Sequence, residues 1–201
     1  MRRIVLASTS PRRRELLAAL GLDFEVHSPR FEERSDPDLS PGAEALEFAK
    51  AKARSLKADC PDALLIGSDT LIEFEGQKLG KPKDAVDARA MLQRLAGKPH
   101  LIHTAVALVD AADGREEAIL RQVKIMMRPA SLAEIEAYVA TGEPLDKAGA
   151  YAIQGRGREL IAEVEGDYEA AVGLPTKDLI ALLKKFGVRP PEDSDGPEKH
   201  G

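Results

Sequence analysis

Apolar and polar positions change period repeatedly along this chain, and the changes predict its elements. Ile4–Ala7 is a short continuous apolar run of the kind that forms a buried strand. Ser8-Thr9-Ser10 predicts a turn into a helix, with Ser10 as N-cap, Pro11 at the first helical position, Leu16, Leu17 and Leu20 on one face, and Gly21 as the stop. Residues 24–28 alternate as a short strand, and 31–36 read as a polar loop. Ser40 and Pro41 open a second helix whose buried stripe is Leu46, Ala49, Ala53 and Leu56. Residues 63–66 are a second buried run that leads to Asp69, and Leu71 and Ile72 keep the pattern extended. A hairpin around Gly76 follows, then a helix capped by Asp84 with Ala88, Met91, Leu92 and Leu95 inward and Gly97 at its end. Two long strands, 101–109 and 118–127, flank an Asp-Ala-Ala-Asp-Gly turn. Ser131 and Glu134 make a capping box for a helix to about Ala140. A strand at 160–164 precedes a last helix, read as capped by Thr176, with Leu179, Ile180 and Leu183 inward and Gly187 at its end. Strands alternating with helices early and a hairpin in the middle predict a mixed α/β sheet flanked by helices.

Composition narrows the classes. At 201 residues the chain is long enough for one full core, read as a single domain over 1–188. The Pro- and charge-rich residues 189–201 are expected to be a disordered tail. A formal net charge of -5 argues against broad nucleic-acid binding, so basic residues matter only where they cluster. No apolar run approaches the ~20 residues of a membrane span, and the run after the N-terminal arginines is too short for a signal peptide. The lone Cys60 excludes an internal disulfide, and a reducing cytoplasm is the expected compartment.

Clusters do occur. Arg12, Arg13 and Arg14 sit in a helix's first turn, where cations oppose the macrodipole. They read either as a solvated basic helix start or as partners of an anion held on the free N–H groups. Asp69, after a buried strand, reads as a ligand-facing carboxylate or as a cap for the next turn, and the extended pattern beyond it leaves a cap nothing to cap. The run from Gly76 to Lys81 is not a P-loop: its glycine spacing is short by one, and Pro82 stands where the Ser or Thr belongs. His100 and His103 are three apart and so face opposite sides of a strand, which leaves any metal oxygen-bound. Residues 142–157 are too glycine-rich for a regular element and too polar for a bland linker. Gathered together, Ser8, Arg12, Arg13, Lys52 and Lys81 with Glu33 and Asp69 suit a polyphosphate held with a divalent ion.

Six stretches carry a resemblance. Leu6 to Arg13, Lys52-Ala53, Gly67-Ser-Asp69-Thr70, Gly80-Lys81-Pro82, Asp146 to Gly155 and Val172-Gly-Leu-Pro175 occur in the order found in the Maf family. These are nucleoside triphosphate pyrophosphatases named for septum formation, and the chain resembles them to about residue 187. The resemblance implies a mixed α/β fold of two lobes around a cleft, similar to the inosine triphosphate pyrophosphatases, usually as a homodimer. It implies hydrolysis between the α- and β-phosphates, with a divalent metal (Mg2+ or Mn2+), to a monophosphate and pyrophosphate. Carried over, Asp69 is the proton acceptor and Ser8, Arg12, Arg13, Lys52 and Lys81 face phosphate. Glu33 joins Asp69 at the metal, with Glu32 adjacent as the competing carboxylate. Arg12, Thr70 and Gln154 match the subgroup acting on dTTP and UTP rather than 7-methyl-GTP. Ala96 and Ala170-Ala171 depart from the usual residues. The alternative expectation is a catalytically silent nucleotide-binding regulator of cell division.

Overall fold

Ile4–Ala7 forms β1, every residue buried, and it lies at the parallel heart of the sheet. The computed structural model describes residues 2–191. Of the expected tail, 192–201 lie outside the described residues. β1 pairs in parallel with β2 (Glu25–His27) and with β3 (Leu64–Phe74), through crossovers that carry α1 (Pro11–Ala18) and α2 (Pro41–Arg54). β3 then runs antiparallel to β4 (Gln77–Leu79) and to β5 (Pro99–Asp110), β5 to β6 (Glu116–Met127), and β6 to β7 (Ile161–Glu165). Among the described residues the sheet has seven strands, ordered β2-β1-β3-β5-β6-β7, with β4 paired to β3. α3 (Ala85–Leu95), α4 (Leu132–Val139), α5 (Tyr168–Val172) and α6 (Thr176–Lys185) complete the flanks.

The alternation of β1 and β3 sorts their side chains onto two faces. Ile4, Leu6, Leu64 and Ile66 pack with Val106 and Leu108 under Leu179, Leu182 and Leu183 of α6. Across the sheet, Ala105 and Ala107 meet Ala45 and Ala49 of α2. These small side chains let α2 lie very close. A Cβ placed on Gly67 would sit 2.0 Å from the Ala49 carbonyl oxygen, so only glycine fits there. Further along the same strands, Ile72, Phe74, Ile102, Val123 and Ile125 belong to a second core with Leu92, Leu95 and Ile135 of α3 and α4. The sheet is continuous while its packing divides into two lobes, and Ser68-Asp69-Thr70 lie at the seam.

Several expectations need correction. Asp69 lies within its strand and not after it: β3 runs on through the extended Leu71 and Ile72 to Phe74, because β5 pairs with it through Glu73 after β1 stops opposite Gly67. Thr176 is not a cap. Pro175 holds the N-cap position without a side-chain bond, and the Thr176 hydroxyl donates to Glu169. α5 has no counterpart in the periodicity, being five residues long; Asp167 caps it by accepting from the Glu169 and Ala170 amides. On α2, Leu46 is only half-buried while Ala45 and Phe48 are buried, since the helix lies flat on the sheet and covers a wider face. Residues 142–157 fold as short 3-10 turns with Gly149 at φ +68° and Ala150 at φ 59°.

Candidate active site

The first turn of α1 forms one wall of a cleft of about 460 Å3. Ser10 caps the helix by accepting from the Arg13 amide at 3.5 Å, and Ser8 Oγ accepts from the Ser10 amide at 3.1 Å. Ser8 to Arg13 thereby line the cleft as one wall. Arg13 is locked at the seam: Nε donates to the Gly173 carbonyl at 2.9 Å and Nη2 to Thr70 Oγ1 at 3.1 Å. Ser68 Oγ shares its one hydrogen between the Ala105 carbonyl at 2.8 Å and the same Gly173 carbonyl at 3.0 Å, so β3, α1 and the α5–α6 turn share one hydrogen-bonded corner. Gly173, at φ +130°, supplies the backbone conformation that aims this carbonyl inward.

α2 delivers Lys52 from the opposite side. Its ammonium is 2.5 Å from Asp69 Oδ1 and 2.5 Å from Glu33 Oε1, one cation between two carboxylates. Glu32 pairs instead with Arg34, which settles the choice between the adjacent glutamates in favour of Glu33 as the cleft residue. Asp69 is 4% exposed, and its Oδ2 has no hydrogen-bond partner among the described residues. Burial pushes the Asp69 carboxyl above its ordinary range, against the pull of Lys52 and Arg13. Desolvation likewise lowers the Arg13 guanidinium, opposed by Asp69 and Glu33.

The expected site residues Ser8, Arg12, Arg13, Glu33, Lys52, Asp69, Thr70 and Lys81 all line this one cleft. Gln154 does not. It is exposed beside Ile153, which does line it. Sequence reasoning missed Lys147 and Tyr151 as wall residues, although both lie in the polar, glycine-rich stretch that marked the region. It also missed the apolar floor of Ile72, Ile102, Ile153, Ala171 and Val172, because those residues read locally as ordinary core. Five basic side chains against three carboxylates leave the cleft net positive, suited to a polyanion at one end and a flat apolar group at the other.

A family model described as Maf-like protein matches residues 3–186, nearly the whole of the described chain. The chain belongs to the Maf family. Its curated relatives include a dTTP/UTP pyrophosphatase of Moorella thermoacetica, 50% identical over 188 residues, covering 94% of this chain and 97% of the relative. That of Pelotomaculum thermopropionicum is 43% identical across 93% of this chain and 98% of its own. That of Bacillus pumilus is 38% identical across 94% and 100%.

Oxygen donors of the Maf cleft fit a hard divalent cation. Asp69 Oδ2 is buried without a partner among the described residues, and Glu33 stands across Lys52 from it. Among the described residues no three His, Cys, Asp or Glu side chains gather as a metal cage. Two carboxylates with the rest of the shell left to phosphate and water is how Mg2+ is commonly held. No helix among the described residues is long and apolar enough to cross a membrane.

Proposed function

We propose that this protein hydrolyses dTTP and UTP to the monophosphate and pyrophosphate. The observation that carries the reading is Asp69: a buried carboxylate with one oxygen on Lys52 and the other without a partner, at the seam of a cleft with excess positive charge. Arg12, Lys52 and Lys81, with Ser8 beside them, hold the phosphates, and the apolar floor with Tyr151 takes the base. Asp69 orients a water against the α-phosphorus and accepts its proton. The bond from that phosphorus to the bridging oxygen breaks, and pyrophosphate leaves with its charge on Lys81 and the arginines. A divalent cation (Mg2+ or Mn2+) on Asp69 and Glu33, when bound, supplies charge neutralisation at the phosphoryl oxygens. Arg12 and Thr70 are the specificity residues within the cleft, and Gln154, outside it, acts through the neighbouring Ile153 that lines it. The curated names of the relatives support the substrate class. The proposal takes the enzyme as a cytoplasmic homodimer.

The test is pyrophosphate and monophosphate release from each common triphosphate and 7-methyl-GTP, with and without metal, on material sized by light scattering. dTTP and UTP are expected to be the best substrates, with turnover abolished by chelation. Asp69→Asn should cost about 10²–10⁴-fold, the range for a general base, with melting temperature preserved. Nucleotide binding without turnover would favour the silent regulator instead.

A further inference from the structure

Glu33 is more than half exposed, and among the described residues its one ion pair is the bond to Lys52, so something outside the cleft must fix where it stands. The segment that carries it runs along α2 and is gripped on both sides of Glu33. Before it, the Arg30 amide donates to Ser55 Oγ at 3.0 Å, and the Phe31 ring packs edge-on against Phe48 with centroids 5.5 Å apart. After it, the grip is ionic. Glu44, on the first turns of α2, is 1% exposed and accepts from the Asp36 amide at 2.6 Å, from Ser35 Oγ at 3.0 Å and from Lys78 Nζ at 2.8 Å. Lys78 also donates to the Asp36 carbonyl at 2.6 Å. Neither Glu44 nor Lys78 lines the cleft.

We propose that Glu44 and Lys78 form a latch that positions Glu33, and through it the metal- and phosphate-facing side of the cleft. Lys78 belongs to β4, hairpin-bonded to β3, the strand that carries Asp69; Glu44 belongs to α2, the helix that carries Lys52. The pair therefore clamps the Glu33 segment to both elements that hold its partners. A buried carboxylate is costly unless well paired, and an apolar residue would pack α2 as well, so stability alone does not call for this arrangement. These are positioning residues, and the inference rests on the function proposed above.

Full-length Glu44→Gln, Lys78→Met and the double variant provide the test. Amide hydrogen exchange across 31–36 is read alongside the Mg2+ half-saturation for pyrophosphate release from dTTP, kcat at saturating Mg2+, and melting temperature. Both single variants are expected to speed exchange in 31–36 and raise the Mg2+ half-saturation about tenfold, the low end for loss of an outer-shell partner. kcat at saturating Mg2+ should change little, and the double variant should be no worse than the weaker single. Exchange at the wild-type rate in the variants overturns the latch. So does faster exchange with an unmoved half-saturation, which would make the contact structural only. If Glu44→Gln does not fold, Lys78→Met, at a partly exposed side chain, decides alone. If the wild type releases no pyrophosphate, the proposed function fails, while exchange and the Mg2+-dependent melting shift with dTTP still decide the latch.

Discussion

His100 shows at the scale of one residue how the cleft wall is held. Its Nε2 lies 2.7 Å from Tyr151 Oη, the residue is 3% exposed, and its Nδ1 has no partner among the described residues. Burial pushes the imidazole down to about 4, so it is neutral at physiological pH. The unfolded chain takes up a proton below about pH 6.5 that the folded chain refuses, so folding stability falls as pH drops from 6.5 through about 4. The loss from this group is up to about 3 kcal/mol. Urea unfolding at pH 7, 5.5 and 4.5 should show that slope, and His100→Gln should flatten it; an unchanged slope would refute the assignment. The window is distinct from that of carboxylates such as Glu134, which the Ser131 amide and hydroxyl hold down at about 2. His103, three residues away, faces the other side and pairs with Glu73 at 2.7 Å, as strand alternation requires. At this scale Asp69 and the arginines stood out in the sequence because their charge is odd for their place, whereas Lys52 rides on its helix like any solvated lysine and came in only through the resemblance. Tyr151 was not readable, because nothing local distinguishes an aromatic that lines a cleft from one that fills a core.

At the scale of elements, the decisive contact is α2 on β3. Gly67 and the alanines of both surfaces bring the helix close enough for Lys52 to reach Asp69. Gly67→Ala would drive a methyl into backbone, which cannot move aside as a side chain can. The expected cost is about 3 kcal/mol, the upper end for overpacking, or about 10 °C of melting temperature for a chain this size. Whatever folds should have lost turnover, because α2 carries Lys52 away from Asp69. Calorimetry and the pyrophosphate assay together check this, and a variant near wild type in both would refute the packing. The helix caps at Ser10, Ser40, Asp84 and Ser131 were legible, since each is a short-range bond written in adjacent residues. α5 and the Thr176 contact were not. A five-residue helix has no period to read, and Glu169, which takes the Thr176 hydroxyl, lies across a turn.

For the whole molecule, the two cores meet along β3 and β5, and the cleft lies where they part. Its charged end is lined by side chains from α1, α2 and the Lys81 and Lys147 turns, and its floor by the second core. Opposite ends of one ligand should therefore respond differently to salt. Raising NaCl from 50 to 500 mM shortens the Debye length from over 10 Å to a few ångströms. Calorimetric affinity for a non-hydrolysable dTTP analogue should then fall several-fold, while thymidine, lacking phosphates, should bind with unchanged affinity. Equal salt dependence would place the base among the charges and overturn the division of the cleft.

Residues and their spacing alone were enough for the elements with a clear period or cap, for the charged residues that gather in one cleft, and through six ordered motifs for the family. These are local or linear properties, set by neighbouring residues and their spacing. Only the tertiary structure decided that Asp69 lies mid-strand at the seam, that Glu33 rather than Glu32 meets Lys52, that Gln154 stands outside the cleft, and that Glu44 and Lys78 clamp the segment between them. Each depends on pairing across the sheet or on how closely a helix lies against it. Such contacts join residues far apart in the chain, and no local pattern of polarity encodes the distance between them.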